Sequence, residues 1–263
     1  MTDAANLFTD GKAYERFMGR WSKLAGQSFL KWLDVPQGLR WLDSGCGNGA
    51  FTEELIAHAA PASVVAIDPS EGQLAFARTR SGSAMAQFQL GDAQSLSFPD
   101  DSFDVAVMAL VIAFLPEPAK AVAGMARVVR PGGWVATYMW DLEAGGSPTS
   151  PMFNALKSLG MTPSAVPNPQ ASQLEAMRSF WQAAGLEAVE ATVIRIPVSF
   201  ESVDDFWNTT TSSGGPAGKM IEAMPAEAQR QVRKRLDEQL RPGGEGRISY
   251  EAFANAVKGR VPA

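Results

Sequence analysis

The chain has 263 residues, 46% of them hydrophobic and 19% charged, with a net charge of −5. That is enough apolar sequence for one sizeable core, a single α/β domain with insertions or a small cap. The acidic balance speaks against a nucleic-acid partner held by phosphate neutralisation, one cysteine excludes an intramolecular disulfide, and one histidine beside it supplies too few ligands for a metal site.

In chain order, residues 11–33 read as a helix with Phe17, Trp21, Leu24, Ala25 and Phe29 on one stripe, broken at Gly19. Its first part, Tyr14 to Trp21, is rich in aromatic and basic groups, so residues 1–35 are expected to form an N-terminal helical lid. Residues 39–44 form a first strand, followed by a glycine turn and a helix carrying Phe51, Leu55, Ile56 and Ala59 at helical spacing, with His58 on its surface. Ser63–Asp68 is a second strand, and Ser70 caps a helix with Leu74, Ala75, Ala77 and Arg78. Met85–Leu90 is a third strand and Phe103–Leu110 a fourth. Glu117–Arg130 is a helix stopped by Pro131-Gly132-Gly133, and Trp134–Met139 is a fifth strand. Strands alternating with helices imply a mostly parallel, doubly wound sheet.

The pattern then loosens. Residues 141–170 hold several Pro, Gly and Ser and read as a loop or a substrate-covering insertion, and residues 200–243 as a second one. Between them lie a helix over 174–185 with Gly185 at its C-terminal cap, and a sixth strand over 187–200 with Val189, Ala191 and Val193 as its apolar side. Helices follow at 203–207 and 226–240. Residues 246–250 open a last strand or helix that periodicity does not decide.

The chemistry centres on Gly45, Gly47 and Gly49, set between the first strand and its helix. Glycines there let a ligand lie against the backbone, and the N–H groups opening the helix favour a negative group. Gly45-x-Gly47-x-x-Ala50 also satisfies the relaxed dinucleotide fingerprint. In an open parallel sheet ligands bind beyond the carboxyl ends of the strands. Asp68 ends the second strand, 23 residues after Gly45, and Asp92 follows the third. Asp68 can accept from both hydroxyls of a ribose. Asp92, with the Ala93 N–H beside it, can read an adenine edge, and Gln73 can lay its stem on the adenine face.

Leu42 to Gly49, Ala66 to Ser70, Gly91-Asp92-Ala93, Phe103-Asp104-Val105 and Arg127 to Gly133 occur in that order over roughly residues 10–140. Together they resemble the class I S-adenosylmethionine-dependent methyltransferases, and most of all the ubiquinone/menaquinone-biosynthesis-type small-molecule branch. The resemblance implies a Rossmann-like, doubly wound, seven-stranded sheet, mostly parallel, with an antiparallel last strand near residues 247–257 and helical lid insertions. It implies a cofactor-binding set of Tyr14, Arg20, Gly45, Cys46, Gly47, Asp68, Pro69, Gln73, Asp92, Ala93 and Ala109. In related enzymes an N-terminal aromatic and a basic residue close over the methionine end, which would be Tyr14 through cation–π attraction and Arg20 through a carboxylate pair. Ser44 stands where the family more often has an aliphatic residue. Ala113-Phe114 stands where relatives often place a histidine, which speaks against a histidine-assisted mechanism.

The expected activity is in-line methyl transfer from S-adenosylmethionine to a small, partly apolar acceptor. No catalytic residue is assigned, although Tyr138 and Asp141 lie near the fourth and fifth strand ends. No metal, no nucleic-acid partner and no membrane span are expected. The start, Met1 to Asn6, lacks a signal-peptide pattern, so a cytoplasmic protein is expected, with a homodimer left open. Two alternatives stand beside this reading: an NAD-dependent dehydrogenase, on the relaxed glycine pattern, and a non-catalytic protein of the same fold that binds S-adenosylmethionine or S-adenosylhomocysteine.

Overall fold

A computed structural model describes residues 18–263 apart from residues 81, 164–165, 213–214, 242 and 244–245. Tyr14 and the rest of the first seventeen residues lie outside the described residues. Seven strands form one sheet: β1 (Arg40–Ser44), β2 (Ser63–Asp68), β3 (Ala86–Leu90), β4 (Phe103–Ala109), β5 (Val129–Trp140), β6 (Glu187–Phe200) and β7 (Ile248–Arg260). Their order is β3-β2-β1-β4-β5-β7-β6. The first five are parallel, and β7 is antiparallel to both β5 and β6. The element that periodicity left open is therefore a strand of 13 residues. The order reverses between β1 and β4, which opens a crevice at their carboxyl ends.

The described helices are α1 (Arg20–Leu33), α2 (Ala50–Ala59), α3 (Glu71–Ala77), α4 (Pro118–Val128), α5 (Ser150–Ser158), α6 (Leu174–Ala183), α7 (Val203–Thr211), α8 (Pro216–Glu222) and α9 (Ala226–Gln239). On one face, α1 and α2 pack over Trp41, Val64, Val105, Val107 and Tyr138. On the other, α4 and α6 pack over Leu42, Ala106, Met108 and Val135. Both faces of the central strands are covered, which is why β4 reads as an unbroken apolar run around Asp104.

Of residues 1–35, the part from Met18 on is described. Ala25, Phe29 and Leu33 are fully buried, so α1 packs on the sheet as part of the core, Phe29 and Leu33 each contributing about 1.5–3 kcal/mol by burial. Gly19 does not break the helix: its backbone is right-handed helical and Met18-Gly19 runs straight into α1. A buried Glu54 on α2 takes hydrogen bonds from Gln27 (2.7 Å) and an ion pair from Lys23 (3.0 Å), tying the two helices together. His58 lies half exposed beside the same carboxylate.

Other boundaries differ for local reasons. Helix α4 ends at Val128, and Val129 already pairs with Phe103. The pairing resumes at Val105 with Trp134, so Arg130-Pro131-Gly132-Gly133 forms an irregularity within β5 rather than a stop. Helices α5 and α8 occupy stretches read as loose, because a Pro in the first helical turn is tolerated where it looks like a breaker. In β6 the buried side is Ile194, Ile196, Val198 and Phe200, while Val193 on the alternate face is exposed.

One consequence of the register positions the site. Trp140, the last residue of β5, pairs with Ala254, so residues 248–253 of β7 run on past the carboxyl edge of β5, still paired to β6. The segment linking β6 to β7 holds α7, α8 and α9, and α5 follows β5. These helices bury Met152, Leu156, Phe206, Ile221, Val232 and Leu236 in one cluster with Trp21 and Phe200. They form a helical layer at the carboxyl end of the sheet.

Candidate active site

The turn after β1 is held from behind by β2. Gly45 and Cys46 both donate their N–H to Ile67 O, at 2.8 and 2.9 Å, and Gly49 N–H closes onto Cys46 O at 2.9 Å. Gly45 (φ +85°) cannot carry a side chain, because a Cβ there would lie 2.7 Å from Val111 Cγ2. Gly47 (φ +53°) differs: a Cβ there would meet no atom within 4 Å, so this side of the turn is open. The Cys46 side chain turns inward to Ala66 and Leu74, and only its backbone belongs to the turn. Burial pushes its thiol pKa up, and Asp43 and Asp68 add to that.

Asp68 joins β2 to the turn. One carboxylate oxygen accepts from Gly47 N–H at 2.9 Å, the other from Ser70 N–H at 2.9 Å. Burial raises its pKa, and those two N–H groups hold part of the rise back. Ser70 caps α3 by accepting from Gln73 N–H at 3.4 Å, which fixes the exposed Pro69 between them and leaves Gln73 buried in the first turn of α3. Each carboxylate oxygen of Asp68 keeps a further lone pair for a ligand hydroxyl.

Asp92 forms an Asx turn, accepting from Gln94 N–H at 2.8 Å, and is exposed, while Ala93 next to it is buried. Ala109 ends β4, and Leu110 after it adopts φ +59°, an uncommon conformation for a branched residue. Leu110 N–H still donates to Tyr138 O at 2.8 Å, and the bend delivers Val111 onto Gly45. The fold thus gathers the glycine turn, Asp68, Pro69 and Gln73 around the ends of β1 and β2, and sets Asp92, Ala93 and Ala109 at the ends of neighbouring strands.

Arg20 is engaged elsewhere. Its guanidinium donates to Ser199 O at 2.9 Å and lies 4.2 Å from the ring centre of Trp21 and 5.0 Å from that of Phe200. Tyr138 is 1% exposed and packs against Phe29 and Phe51 in the core, which removes it as a base. Asp141 accepts from Ala144 N–H (2.9 Å) and Asn255 Nδ2 (2.8 Å), and so orders the turn after β5.

The sequence reading gave no role to Asp43 and Thr52, which form a fully buried hydrogen bond at 2.6 Å beside the turn. The signal was there: an acid two residues before Gly45, and a hydroxyl in the first turn of the next helix. Among the described residues no group of His, Cys, Asp and Glu could hold a metal ion, and no helix is long and apolar enough to cross a membrane. A cleft of about 510 Å³ opens in the helical layer, lined by Trp207, Thr211, Ser212, Ile221, Glu222 and Gln229, none of which belongs to the glycine turn.

Residues 42–137 match a family model described as a methyltransferase domain. Over 160 residues the chain is 29% identical to a fatty-acid O-methyltransferase of Mycolicibacterium smegmatis, covering 61% of this chain and 56% of that protein. Over 135 residues it is 35% identical to a malonyl-[acyl-carrier protein] O-methyltransferase of Methylococcus capsulatus, covering 51% and 47%. The chain spans about half the length of these curated relatives. The fold is similar to that of the YcgJ protein of Bacillus subtilis, with a TM-score of 0.62 and 20% identity, over 91% of this chain and 98% of that one. Residues 42–137 thus match a methyltransferase domain, and the strand order and the turn geometry agree with that match.

Proposed function

We propose that the chain transfers a methyl group from S-adenosylmethionine to a small, partly apolar acceptor. The observation that carries this reading is the junction of Asp68 with Gly47. An acidic acceptor at the end of β2 is hydrogen-bonded to a turn whose outer side has room for a ligand. When bound, the cofactor supplies a methyl carbon already activated by positively charged sulfur.

The residues present fit that group. Gly45, Cys46 and Gly47 offer backbone for the methionine part, Asp68 and Pro69 the ribose, and Gln73, Asp92 and Ala93 the adenine. Ala109 and Leu110 border the transfer point at the end of β4. The task of the chain is alignment and exclusion of water. With Tyr138 buried and Asp141 occupied, no side chain is assigned as a base. Such a site suits an acceptor that is already nucleophilic near neutral pH.

The acceptor is proposed to lie beneath α5 and α7–α9, which stack at the carboxyl end of the sheet. An apolar acceptor with an oxygen nucleophile agrees with the quinone-type motif order and with the names of the two O-methyltransferase relatives. Thermal unfolding with S-adenosylmethionine, S-adenosylhomocysteine and NAD tests the cofactor. Saturation at 100 times the dissociation constant adds about 2.7 kcal/mol of stability. Acceptors are then screened by S-adenosylhomocysteine release with a quinol, a fatty acid and an acyl-carrier substrate. Stabilisation by NAD alone would overturn the reading.

A further inference from the structure

Asp43 lies in the buried part of β1, two residues before Gly45, and has no exposed surface. Thr52, 1% exposed in the first turn of α2, donates its hydroxyl to Asp43 Oδ2 at 2.6 Å. Asp43 Oδ1 is buried with no hydrogen-bond partner, and so is Oγ of the adjoining Ser44. A buried carboxyl oxygen without a partner at the root of an open turn requires an explanation, because such atoms in a native interior are nearly always satisfied.

A single neutral hydroxyl does not compensate a buried carboxylate. The charged groups around it give no help. Asp68 on β2 is of like sign and opposes ionisation. The Cys46 thiol in the turn is kept neutral by burial. On α2 itself, Glu53 is paired with Arg80 and Glu54 with Lys23, and both are acidic. Burial accordingly pushes the Asp43 pKa up to about 7, Thr52 restrains the rise, and Asp68 adds to it.

We propose that Thr52 is a positioning residue which holds the Asp43 carboxyl by Oδ2, and that Oδ1 gives up its proton when a cationic adenosyl ligand binds. In that step the O–H bond of the carboxyl breaks, the proton passes to solvent, and the electron pair stays on the carboxylate. No other reactant is consumed. The inference rests on the cofactor reading above, and it makes binding proton-linked: affinity rises with pH until Asp43 is ionised in the free protein and is flat beyond.

The test is calorimetric binding of S-adenosylhomocysteine, which carries a cationic amino group, between about pH 5.5 and pH 8.5, a range that brackets the buried carboxyl. Two buffers of different ionisation enthalpy report the protons released. Wild type is expected to gain about tenfold in affinity per pH unit below the midpoint and to release close to one proton there. Thr52→Val removes the donor, so the midpoint moves up by about one unit, and Thr52→Ser returns it. Asp43→Asn gives a weak, flat profile. A merely structural Thr52 would lower the melting temperature without moving the midpoint. If wild type binds with no proton release, or a folded Thr52→Val keeps the wild-type profile, this inference is overturned and the cofactor reading stands. If wild type binds no S-adenosylhomocysteine at any pH, both are overturned. Should Thr52→Val not fold, the wild-type proton count against Asp43→Asn decides.

Discussion

The Asp68 carboxylate of β2 and the Gly47 N–H of the turn after β1 meet at 2.9 Å, so the ribose-side acceptor and the glycine turn form one unit. The same carboxylate takes the Ser70 N–H that opens α3. Hydrogen bonds to a charged acceptor contribute about 1.5–3 kcal/mol each. Asp68→Ala should therefore weaken S-adenosylhomocysteine binding by at least about tenfold and also lower the melting temperature. Titration calorimetry and thermal unfolding on the same sample check both. Unchanged affinity would separate Asp68 from the site.

Gly45 and Gly47 should respond differently to alanine. At Gly45 a Cβ meets Val111 at 2.7 Å on a left-handed backbone, so Gly45→Ala should cost about 1–3 kcal/mol of stability. At Gly47 an added Cβ would meet no atom within 4 Å, so Gly47→Ala should cost only about 1–2 kcal/mol, from its positive φ. Its loss of ligand affinity should exceed its loss of stability. Denaturant melts alongside binding isotherms distinguish the two. A Gly47→Ala protein that binds as wild type would mean the open side of the turn is not where the ligand lies.

Stability should depend on pH through two aspartates of opposite sense. Asp43, pushed up to about 7 by burial, holds more protons folded than unfolded. Its contribution is full below the unfolded value of about 4 and is lost as pH rises to about 7, on the order of 4 kcal/mol. Burial would raise Asp104 too, but hydrogen bonds from Arg40 (2.8 and 3.1 Å) and Arg130 (2.5 Å) outweigh it and hold the group below the ordinary carboxylate range. Its contribution is present above about pH 4 and lost as pH falls. Urea melts across pH 3–8 should show Asp43→Asn flattening the upper limb and Asp104→Asn the acid limb. Identical slopes in wild type and Asp43→Asn would contradict the burial argument.

Arg20 joins α1 to the end of β6 through Ser199 O and the rings of Trp21 and Phe200. Arg20→Ala should lower stability by about 0.5–1 kcal/mol, the range for an exposed cation on aromatic faces. If Arg20 instead pairs with the cofactor carboxylate, affinity for S-adenosylhomocysteine should fall by about tenfold, the size of a lost charged hydrogen bond. The two readouts, melting and binding, assign its role.

The local pattern of the chain determined the strand–glycine–helix opening, the first five strands with helices after β1, β2 and β4, the acids at the ends of β2 and β3, and the cofactor class that their order resembles. These are properties of near neighbours: side-chain period, turn chemistry and caps act over a few residues and survive in one dimension. Tertiary structure decided the rest. That β7 lies between β5 and β6, and that α1 packs into the core, depend on contacts between residues far apart, such as Trp21 with Phe200 or Trp140 with Ala254. The Asp43–Thr52 pair could be seen only once α2 had folded back onto β1. Whether Tyr138 could act as a base was settled by two helices covering it. Burial, and with it the protonation of a carboxyl, is a property of everything packed around a group, and no stretch of sequence contains it.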